Sequence, residues 1–469
     1  MKKFSLLAKK FFAKPEYVFI VPAFLFGLVT VFLTPQLLGN DEYAHFQRGY
    51  ELTELEIGDW CSMPKDLSLQ SISSRSNDHS FDMTQYKEND NETVLCGNAS
   101  LYNPLMHIPQ AIGMLVAKIF SPTAGWLVIL GRFVNLIVYC AALFYIIKKI
   151  KIGKWVVVVI GLLPTMVHSA GTLSADVMNA VVLLGFTAYV FNLFVQTKVM
   201  SMKQVVVLLM LSSLLATTKM TNVVLLLPIL FLPRRILPII RTKKGDIPKV
   251  AVRFGLGAAA GVMALIMLFL WSTLHGGDTT GATTADNPVA KNPIYMINVL
   301  FNTYIDPTNS FGGLTSYGDW LIRGAVGSFT SFNYSLPFGV VLLVVALLAF
   351  ILLRSDKFED TKGLSVPLAV GSLGAFVIVI LAMTYGLYST WSILPDQLGP
   401  KASFAQGLQG RYFTPLLLFL LPASIYLRRF VSVNMKGEMT TGIVVFSVMS
   451  FALFFYSMQA VTFSMSLVG

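Results

Sequence analysis

Charge is what this sequence has little of. Only 13% of its 469 residues are Asp, Glu, Lys or Arg, about half the share of roughly 25% found in soluble domains. This shortage excludes a soluble multidomain enzyme, and it excludes a disordered chain, which combines high net charge with few apolar residues. The sequence also lacks a G-x-x-x-x-G-K-[ST] loop, so nothing indicates a cytosolic ATP-driven machine.

Cysteine is the next scarce residue, with three in the chain. Cys61 and Cys96 fall in one polar segment, and Cys140 falls in an apolar run. Two cysteines in one extracytoplasmic loop predict a disulfide, and two free thiols are the alternative. No group of Cys and His residues has the spacing of a zinc site.

Apolar residues make up 55% of the chain, and the mean hydropathy is +0.68. They are gathered in long runs of the kind that crosses a membrane as helices. We therefore predict an all-α polytopic membrane protein of about eleven transmembrane helices, forming a single domain over residues 1–469. The runs are 17–38, 125–147, 155–171, 176–196, 204–216, 223–232, 250–274, 336–353, 366–388, 413–427 and 442–463. The stretch 204–232 is too long for one crossing, so we expect a turn at 217–221.

The charges indicate the orientation, because cytoplasmic loops are rich in Lys and Arg. With the N-terminus inside, 24 of the 35 basic residues and 6 of the 24 acidic residues fall on the inner side. The basic and acidic residues behind the net charge of +11 are thus separated between the two sides of the membrane. The positive charge therefore does not indicate a nucleic-acid-binding protein. We expect a multi-pass plasma-membrane protein with a cytoplasmic N-terminus and an extracellular C-terminus, the latter depending on the span count.

The polar residues gather on the predicted outer side. Residues 39–124 form a large first extracytoplasmic loop that includes an amphipathic helix, and residues 275–335 form a second large loop. The inner loops are short, as in a protein whose chemistry is outside the membrane.

The first candidate site follows the first span, at Asp41, Glu42 and His45. In a helix, Asp41, His45 and Arg48 would share one face. Ionisable residues at the mouth of a membrane bundle are candidates for function, so Asp41, Glu42 and His45 are the predicted catalytic residues. The alternative is an interfacial helix in which His45 and Arg48 simply pair with Asp41.

Three further residues have charges near the predicted outer ends of spans. Arg411 could hold a phosphate through two parallel hydrogen bonds, or it could anchor the headgroup region. Lys219 could contact a lipid phosphate, or it could snorkel to the interface. Asp176 begins the fourth span, where an acid is most simply a helix cap.

The order of these motifs resembles two known groups of proteins. The segment 101–109 (L-Y-N-P-L-M-H-I-P), the Gly131-Arg132-Phe133 triplet and the Ser174-Ala175-Asp176 triplet resemble membrane glycosyltransferases of the GT-C type, which take sugars from polyprenyl-phosphate carriers. A bacterial family of polytopic membrane proteins, known as a domain of unknown function, has the signatures P-D-E-x-x-H and Q-G-R-Y-x-x-P. Residues 40–45 (N-D-E-Y-A-H) and 409–415 (Q-G-R-Y-F-T-P) resemble these, with Asn40 in place of Pro.

The resemblance implies a glycosyltransferase that moves a sugar from a polyprenyl-phosphate carrier to a cell-wall polymer or glycolipid on the outer face. Asp41 would be the base, with Glu42 as its rival, and Arg411 with Lys219 and Arg132 would hold the phosphate. We expect Asp41 and Arg411 in one cavity, roughly 6–12 Å apart and without direct contact, so that both remain available for substrate.

The same resemblance implies that Asp176 faces the active cavity. Enzymes of this class include metal-dependent and metal-independent members, and a divalent metal would be bound by Asp41, Glu42 and Asp176. No other cofactor is indicated. The alternatives are a transporter or flippase of lipid-linked sugars, and a non-catalytic subunit working with partner membrane subunits in envelope-glycan assembly.

Overall fold

The protein is described by a computed structural model that is built almost entirely of helices. It describes residues 9–55, 62–75, 81–87, 93–95, 103–242, 245–274, 287–308, 310–311, 315–327, 336–354, 366–395, 397–433 and 437–466. The α-helices are α1 (Pro15–Leu33), α2 (Glu42–Thr53), α3 (Leu69–Arg75), α4 (Ile108–Phe120), α5 (Ala124–Lys149), α6 (Lys154–Gly161), α7 (Pro164–Ala170), α8 (Asp176–Val195), α9 (Met202–Thr218), α10 (Lys249–Leu274), α11 (Pro288–Lys291), α12 (Tyr295–Tyr304), α13 (Tyr317–Val326), α14 (Phe338–Leu353), α15 (Val366–Leu387), α16 (Leu421–Leu427) and α17 (Glu438–Ser466).

Tighter turns and short strands complete the described fold. The 3₁₀ segments are Lys65–Leu67, Pro104–His107, Met220–Phe231, Arg234–Ile236, Gly410–Tyr412 and Thr414–Leu420, and Tyr388–Ser392 is a π-helical turn. The strands pair antiparallel two by two: β1 (Ser62–Pro64) with β2 (Thr93–Leu95), β3 (Arg241–Thr242) with β4 (Gly245–Asp246), and β5 (Ser310–Phe311) with β6 (Thr315–Ser316). Ser62 lies opposite Leu95 in the first pair.

Six of the described helices are long and apolar enough to cross a membrane. They are Pro15–Leu33, Ala124–Lys149, Asp176–Val195, Lys249–Trp271, Val366–Ser392 and Glu438–Gln459. Five shorter apolar helical segments accompany them: Pro104–Phe120, Met202–Thr218, Met220–Phe231, Phe338–Leu353 and Thr414–Leu427. The predicted all-α membrane architecture is therefore confirmed, whereas the count of about eleven crossings remains a prediction.

Proline explains why one predicted span is not a single helix. The predicted span 155–171 is two helices, α6 and α7, because Pro164 begins the second of them and cannot donate the hydrogen bond that would continue the first.

The turn expected at 217–221 is confirmed, since α9 ends at Thr218 and a 3₁₀ segment begins at Met220. Lys219 lies between the two, in extended backbone.

The helices pack into two large apolar cores and a smaller third one. The first core joins α1, α5, α6, α7 and α17, and the second joins α8, α9, the 220–231 segment and α15. The third core lies under α2, where Phe46 and Tyr50 belong to one buried cluster with Met114 of α4 and Leu127 of α5. This third core holds α2 against the end of the bundle at which α1 ends and α8 begins, which we call the site end.

Candidate functional site

Glu42, the second residue of the acid pair that follows α1, is held by hydrogen bonds within the fold. The Glu42 carboxylate accepts hydrogen bonds from Arg132 Nε at 2.7 Å and Arg132 Nη2 at 2.6 Å. It also accepts from the backbone N–H of Gly39 at 2.8 Å and of Leu173 at 2.9 Å. Both side chains of the ion pair are fully buried. Four hydrogen bonds leave the Glu42 carboxylate no room to act as a base.

Arg132 is committed in the same way. Its Nη1 donates to the carbonyl oxygens of Val31 at 3.1 Å and Thr34 at 2.7 Å, and its Nη2 donates to that of Pro35 at 2.9 Å. With the two bonds to Glu42, all five N–H donors of the guanidinium are used. The structure thus corrects two expectations: Arg132 and Glu42 tie the end of α1 to α5, and neither side chain is available to a substrate.

Asp41 lies beside this pair in an unusual backbone conformation. Its φ of 55° and ψ of 20° are left-handed, which Asp tolerates better than most residues other than Gly. The turn begins α2 at Glu42, and it directs the two adjacent acids to different partners. Asp41 pairs with Arg411, whereas Glu42 pairs with Arg132. Of the two residues that the alternative pairs with Asp41, Arg48 forms an ion pair with Glu51, and the Asp41 carboxylate favours the charged form of His45.

Arg411 is the centre of a cluster of four charges. Its Nη2 donates to Asp41 Oδ2 at 2.5 Å, and its Nε lies 2.7 Å from Asp176 Oδ2. Lys219 Nζ lies 3.7 Å from Asp176 Oδ1. Two cations and two anions therefore balance at this site, which we call the charge cluster.

The contact between Asp41 and Arg411 confirms one expectation and corrects another. The two side chains meet at one site although 370 positions separate them. They touch directly, however, instead of standing roughly 6–12 Å apart. The physical reason is desolvation: Arg411 is only 6% exposed, and a buried cation without an anion beside it is costly. Asp41 remains 43% exposed, so one partner of this pair faces water.

The turn before Arg411 is shaped by a glycine. A Cβ at Gly410 would lie 2.0 Å from the carbonyl oxygen of Leu321, in α13. Only glycine allows the 410–412 turn to approach α13 so closely. Tyr317 of the same helix donates to the carbonyl of Leu408 at 2.8 Å and holds the preceding chain. Arg411 is thus positioned by backbone contacts to α13.

Lys219 is held at the break between α9 and the next segment. Its Nζ lies 3.2 Å from the centroid of the Tyr412 ring, a cation–π contact. Nearby, Asn222 donates to Asn179 Oδ1 at 3.0 Å and to Thr218 Oγ1 at 2.9 Å. The interruption of the helix therefore brings a cation and two amides to the same end of the bundle.

Two buried histidines adjoin the charge cluster. His45 Nδ1 lies 3.0 Å from His107 Nε2, and His107 Nδ1 lies 3.3 Å from the backbone carbonyl oxygen of Asn103. Burial lowers the pKa of His45 to about 4, against the attraction of Asp176 and Asp41 for the charged form. Burial and the neighbouring His45 also lower the pKa of His107. Both rings are therefore neutral near pH 7.

His45 and three members of the charge cluster line a cavity of about 270 Å³. Its polar wall includes His45, Asp176, Asn179, Lys219 and Arg411. A cavity with a few converging polar groups among apolar ones is the usual form of a small-molecule site. Asp41 contacts Arg411, one of the residues that line this cavity.

The opposite wall of the cavity belongs to α10, the most exposed of the membrane-length helices. Met267, Leu268 and Trp271 line the cavity, while Leu265 and Phe269 are exposed on the other side of the same helix. The Arg48 guanidinium lies 5.5 Å from the Trp271 ring and connects α2 to α10. Helix α10 thus has one face toward the cavity and an exposed apolar face.

Comparison with the predicted site residues gives a mixed outcome. Asp41, Asp176, Lys219 and Arg411 come together, and His45 lies beside them. Sequence reasoning missed His107, Asn222 and Trp271. His107 does stand in the Asn103-Pro104 motif, and the Pro at that turn was the available signal.

Two predictions concern residues or groups that the structure leaves without a test. Cys61 and Cys96 lie outside the described residues, so their disulfide remains a prediction. Among the described residues, no group of three or more His, Cys, Asp and Glu side chains is arranged to hold a metal ion.

The fold and the charge cluster define an all-α integral membrane protein with an ionic site at one end of its bundle. The chain belongs to a family described as predicted membrane protein (DUF2142), whose model matches residues 24–420. The match includes Asp41, Asp176, Lys219 and Arg411. No curated protein and no solved structure matches the chain.

Proposed function

We propose that this protein is a membrane glycosyltransferase that takes a sugar from a polyprenyl-phosphate carrier and passes it to an acceptor of the cell envelope. The observation that carries the proposal is the charge cluster beside a cavity whose other wall is an exposed apolar helix. A lipid-linked phosphate sugar needs both features, a polar pocket for its head and an apolar route for its chain.

Arg411 and Lys219 are the groups that would bind the phosphate. A guanidinium offers two parallel N–H donors to phosphate oxygens, and an ammonium adds a second positive charge. The same cations would stabilise the negative charge that develops on the departing phosphate.

An incoming phosphate must compete with Asp41 for Arg411. The competition is uneven, because Asp41 is 43% exposed and its carboxylate can be solvated by water once it is released. The buried guanidinium would exchange one anion for another and would not be left unpaired. The direct contact between Asp41 and Arg411 is therefore compatible with phosphate binding.

The lipid chain would enter beside α10. Met267 and Trp271 line the cavity, and Leu265 and Phe269 lie on the exposed face of the same helix. A polyprenyl chain could lie along this apolar helix while its phosphate reaches Arg411. The acceptor, a cell-wall polymer or a glycolipid, would approach from the predicted outer side.

One observation favours the alternative of a non-catalytic subunit. The four charges of the cluster are already balanced within the chain, as they would be if their role were only to hold α2, α8 and the 410–412 turn together. A flippase for lipid-linked sugars would use the same cations without breaking a glycosidic bond.

The deciding experiment uses the purified chain in nanodiscs with labelled polyprenyl-phosphate sugars and candidate acceptors. Transfer is expected to move the label from lipid to acceptor, and Arg411→Gln is expected to abolish it. The matched control is Arg235→Gln, because Arg235 donates to the carbonyl oxygens of Gln196 and Phe194, at the end of α8 opposite to Asp176.

Two results would overturn the proposal. In proteoliposomes, label that stays on the lipid but changes leaflet would identify a flippase. Neither transfer nor movement with any donor of the panel would identify a non-catalytic subunit.

A further inference from the structure

The orientation of the Asn179 amide is set by a series of hydrogen bonds that begins at the end of α9. The hydroxyl of Thr218 donates to the backbone carbonyl of Leu215 at 2.6 Å, so its proton is used and its oxygen can only accept. Asn222 Nδ2 lies 2.9 Å from this oxygen and is therefore the donor. The opposite orientation of the Asn222 amide would place two acceptors against each other.

The nitrogen of Asn222 then determines which end of Asn179 is left for the cavity. It lies 3.0 Å from Asn179 Oδ1, so the oxygen of Asn179 is the acceptor, and Asn179 Nδ2 keeps its two N–H donors. Asn179 lines the cavity and is 5% exposed. No group within the described part of the chain accepts a hydrogen bond from Asn179 Nδ2. The cavity wall therefore contains a buried amide that offers only donors.

Asn179 lies one helical turn from Asp176, which contacts both cations of the charge cluster. Asp176 is 2.7 Å from Arg411 and 3.7 Å from Lys219, and these two cations line the same cavity as Asn179. A guanidinium, an ammonium and an amide nitrogen can donate but cannot accept. The charged oxygens of a phosphate only accept, whereas a sugar hydroxyl both donates and accepts. The three groups together therefore match a phosphate better than a sugar.

We propose that Asn179 binds a phosphate group through Nδ2, as a third donor beside Arg411 and Lys219. Thr218 and Asn222 are positioning residues that keep the amide in its donating orientation. This inference rests on the proposed function, in which the phosphate belongs to the polyprenyl carrier. The two cations are shared with carboxylates of the chain, whereas the donors of Asn179 Nδ2 are not. The amide can therefore bind phosphate without first releasing an anion.

Binding of labelled polyprenyl phosphate to the purified chain in nanodiscs tests this contact. Asn179→Asp keeps the size of the side chain but replaces the donor with an anion, so we expect at least about 10-fold weaker binding. Binding of polyprenol, which lacks the phosphate, should not change. Asn192→Asp is the matched control, because Asn192 lies near the other end of α8 and contacts the backbone of Lys149 and Lys151. Equal binding by the two variants would overturn the inference and leave the proposed function standing.

Thr218→Val tests the orientation of the amide. Valine has the shape of threonine without the hydroxyl, so Asn222 loses the contact that fixes it, and polyprenyl phosphate should bind about 3- to 10-fold more weakly. Thr218→Ser keeps the hydroxyl and should restore the binding. Thr187→Val is the matched control, because Thr187 donates to the carbonyl oxygen of Leu183 at 2.8 Å within α8. Binding that is equally weak in Thr218→Ser and Thr218→Val would overturn the positioning role.

Competition with inorganic phosphate identifies the source of the phosphate group. Polyprenyl phosphate is expected to bind more tightly, because its chain would lie along α10. Inorganic phosphate that binds as tightly as the lipid, and more weakly to Asn179→Asp, would keep the inference and defeat the lipid carrier of the proposed function. Binding of polyprenyl phosphate that depends on Asn179, in a chain that shows no sugar transfer, would likewise defeat the proposed function alone.

Discussion

Single side chains at the site differ in how much of each is exposed to water. Arg411 is buried, whereas Asp41, its partner, is 43% exposed. An exposed carboxylate loses little when it is released to water, while a buried guanidinium must keep an anion beside it. Binding of phosphate at Arg411, as proposed, would therefore exchange one anion for another.

Asp41→Asn tests this exchange. Because the variant removes the carboxylate that competes for Arg411, we expect polyprenyl phosphate to bind about 2- to 5-fold more tightly, in line with an ion pair worth roughly 0.4–1 kcal/mol. Equilibrium binding in nanodiscs is the measurement. Asp319→Asn is the matched control, since Asp319 pairs with Arg323 one helical turn away. Weaker binding by Asp41→Asn would mean that Asp41 helps to hold the lipid.

The buried histidines predict a pH dependence of stability. Burial lowers the pKa of His45 from 6.5 to about 4 and also lowers that of His107. Between these values the unfolded chain binds more protons than the folded chain, so stability rises with pH. The contribution is complete above about pH 6.5 and is lost as the pH falls toward 4.

Thermal unfolding in detergent between pH 7 and pH 5.5 measures this dependence. The groups that face His45 are Asp176, Asp41, Glu42 and Arg411, and those that face His107 are His45 and Arg48. The melting temperature should fall as the pH is lowered, and it should fall less in His45→Gln. An equal fall in the variant would show that other groups cause the loss.

The charged residues of the site lie at helix ends and helix breaks. Asp41 precedes α2, Asp176 begins α8, Lys219 follows α9, and Arg411 lies in a 3₁₀ turn. A charge in the middle of an apolar helix would face lipid or the core, whereas ends of several helices can converge on one polar pocket. The interruptions in the helices thus position the four charges of the cluster.

Gly410→Ala should disturb this arrangement. The new Cβ would lie 2.0 Å from the Leu321 carbonyl oxygen and 2.3 Å from the Ala325 nitrogen, so the 410–412 turn must move away from α13. We expect a lower melting temperature together with weaker binding of polyprenyl phosphate, because Arg411 moves with the turn. Gly339→Ala is the control, since a Cβ there meets no atom within 4 Å. Unchanged binding in Gly410→Ala would show that the turn does not determine the position of Arg411.

Arg132→Met tests the ion pair that joins α1 to α5. It leaves Glu42 buried without its cation, and the expected loss of stability is about 3–5 kcal/mol. Thermal unfolding compared with Arg323→Met is the measurement, because Arg323 forms a partly exposed pair worth less than about 1 kcal/mol. Equal losses in the two variants would contradict the structural role of Arg132.

The whole molecule is organised by the two sides of a membrane. The predicted inner segments contain most of the basic residues, while Asp41 and the first polar loop fall on the predicted outer side. The proposed transfer depends on this assignment, since an envelope acceptor is met outside.

Cysteine labelling in intact cells tests the topology. An impermeant reagent should label Lys65→Cys and should not label Lys243→Cys, with the unsubstituted chain as the control for its own three cysteines. Labelling at position 243 alone would reverse the orientation and remove the argument for an external acceptor.

The class of the fold and the four members of the charge cluster could be predicted from the sequence. In a membrane, the backbone hydrogen bonds of a long apolar run are satisfied when the run is a helix. The number and length of such runs therefore predict the architecture. A charged residue near the end of an apolar run is costly unless it is paired or faces a polar cavity, so such residues are candidates for a site. This reasoning identifies Asp41, Asp176, Lys219 and Arg411 from the sequence. The break at Lys219 follows from a run too long for one crossing.

Which charges pair with which could not be predicted from the sequence and is seen in the three-dimensional structure. Asp41 and Glu42 are adjacent acids of the same kind in the sequence. Because the backbone at Asp41 is left-handed, Glu42 pairs with Arg132 and Asp41 pairs with Arg411. The histidine pair joins positions 62 residues apart and was not foreseen. Local pattern reports the hydropathy and period of each segment. The ion pair that each charged residue forms depends on which helix ends converge and on the cost of burying that charge without a partner. The residues that surround a single position in the sequence do not reveal either of these.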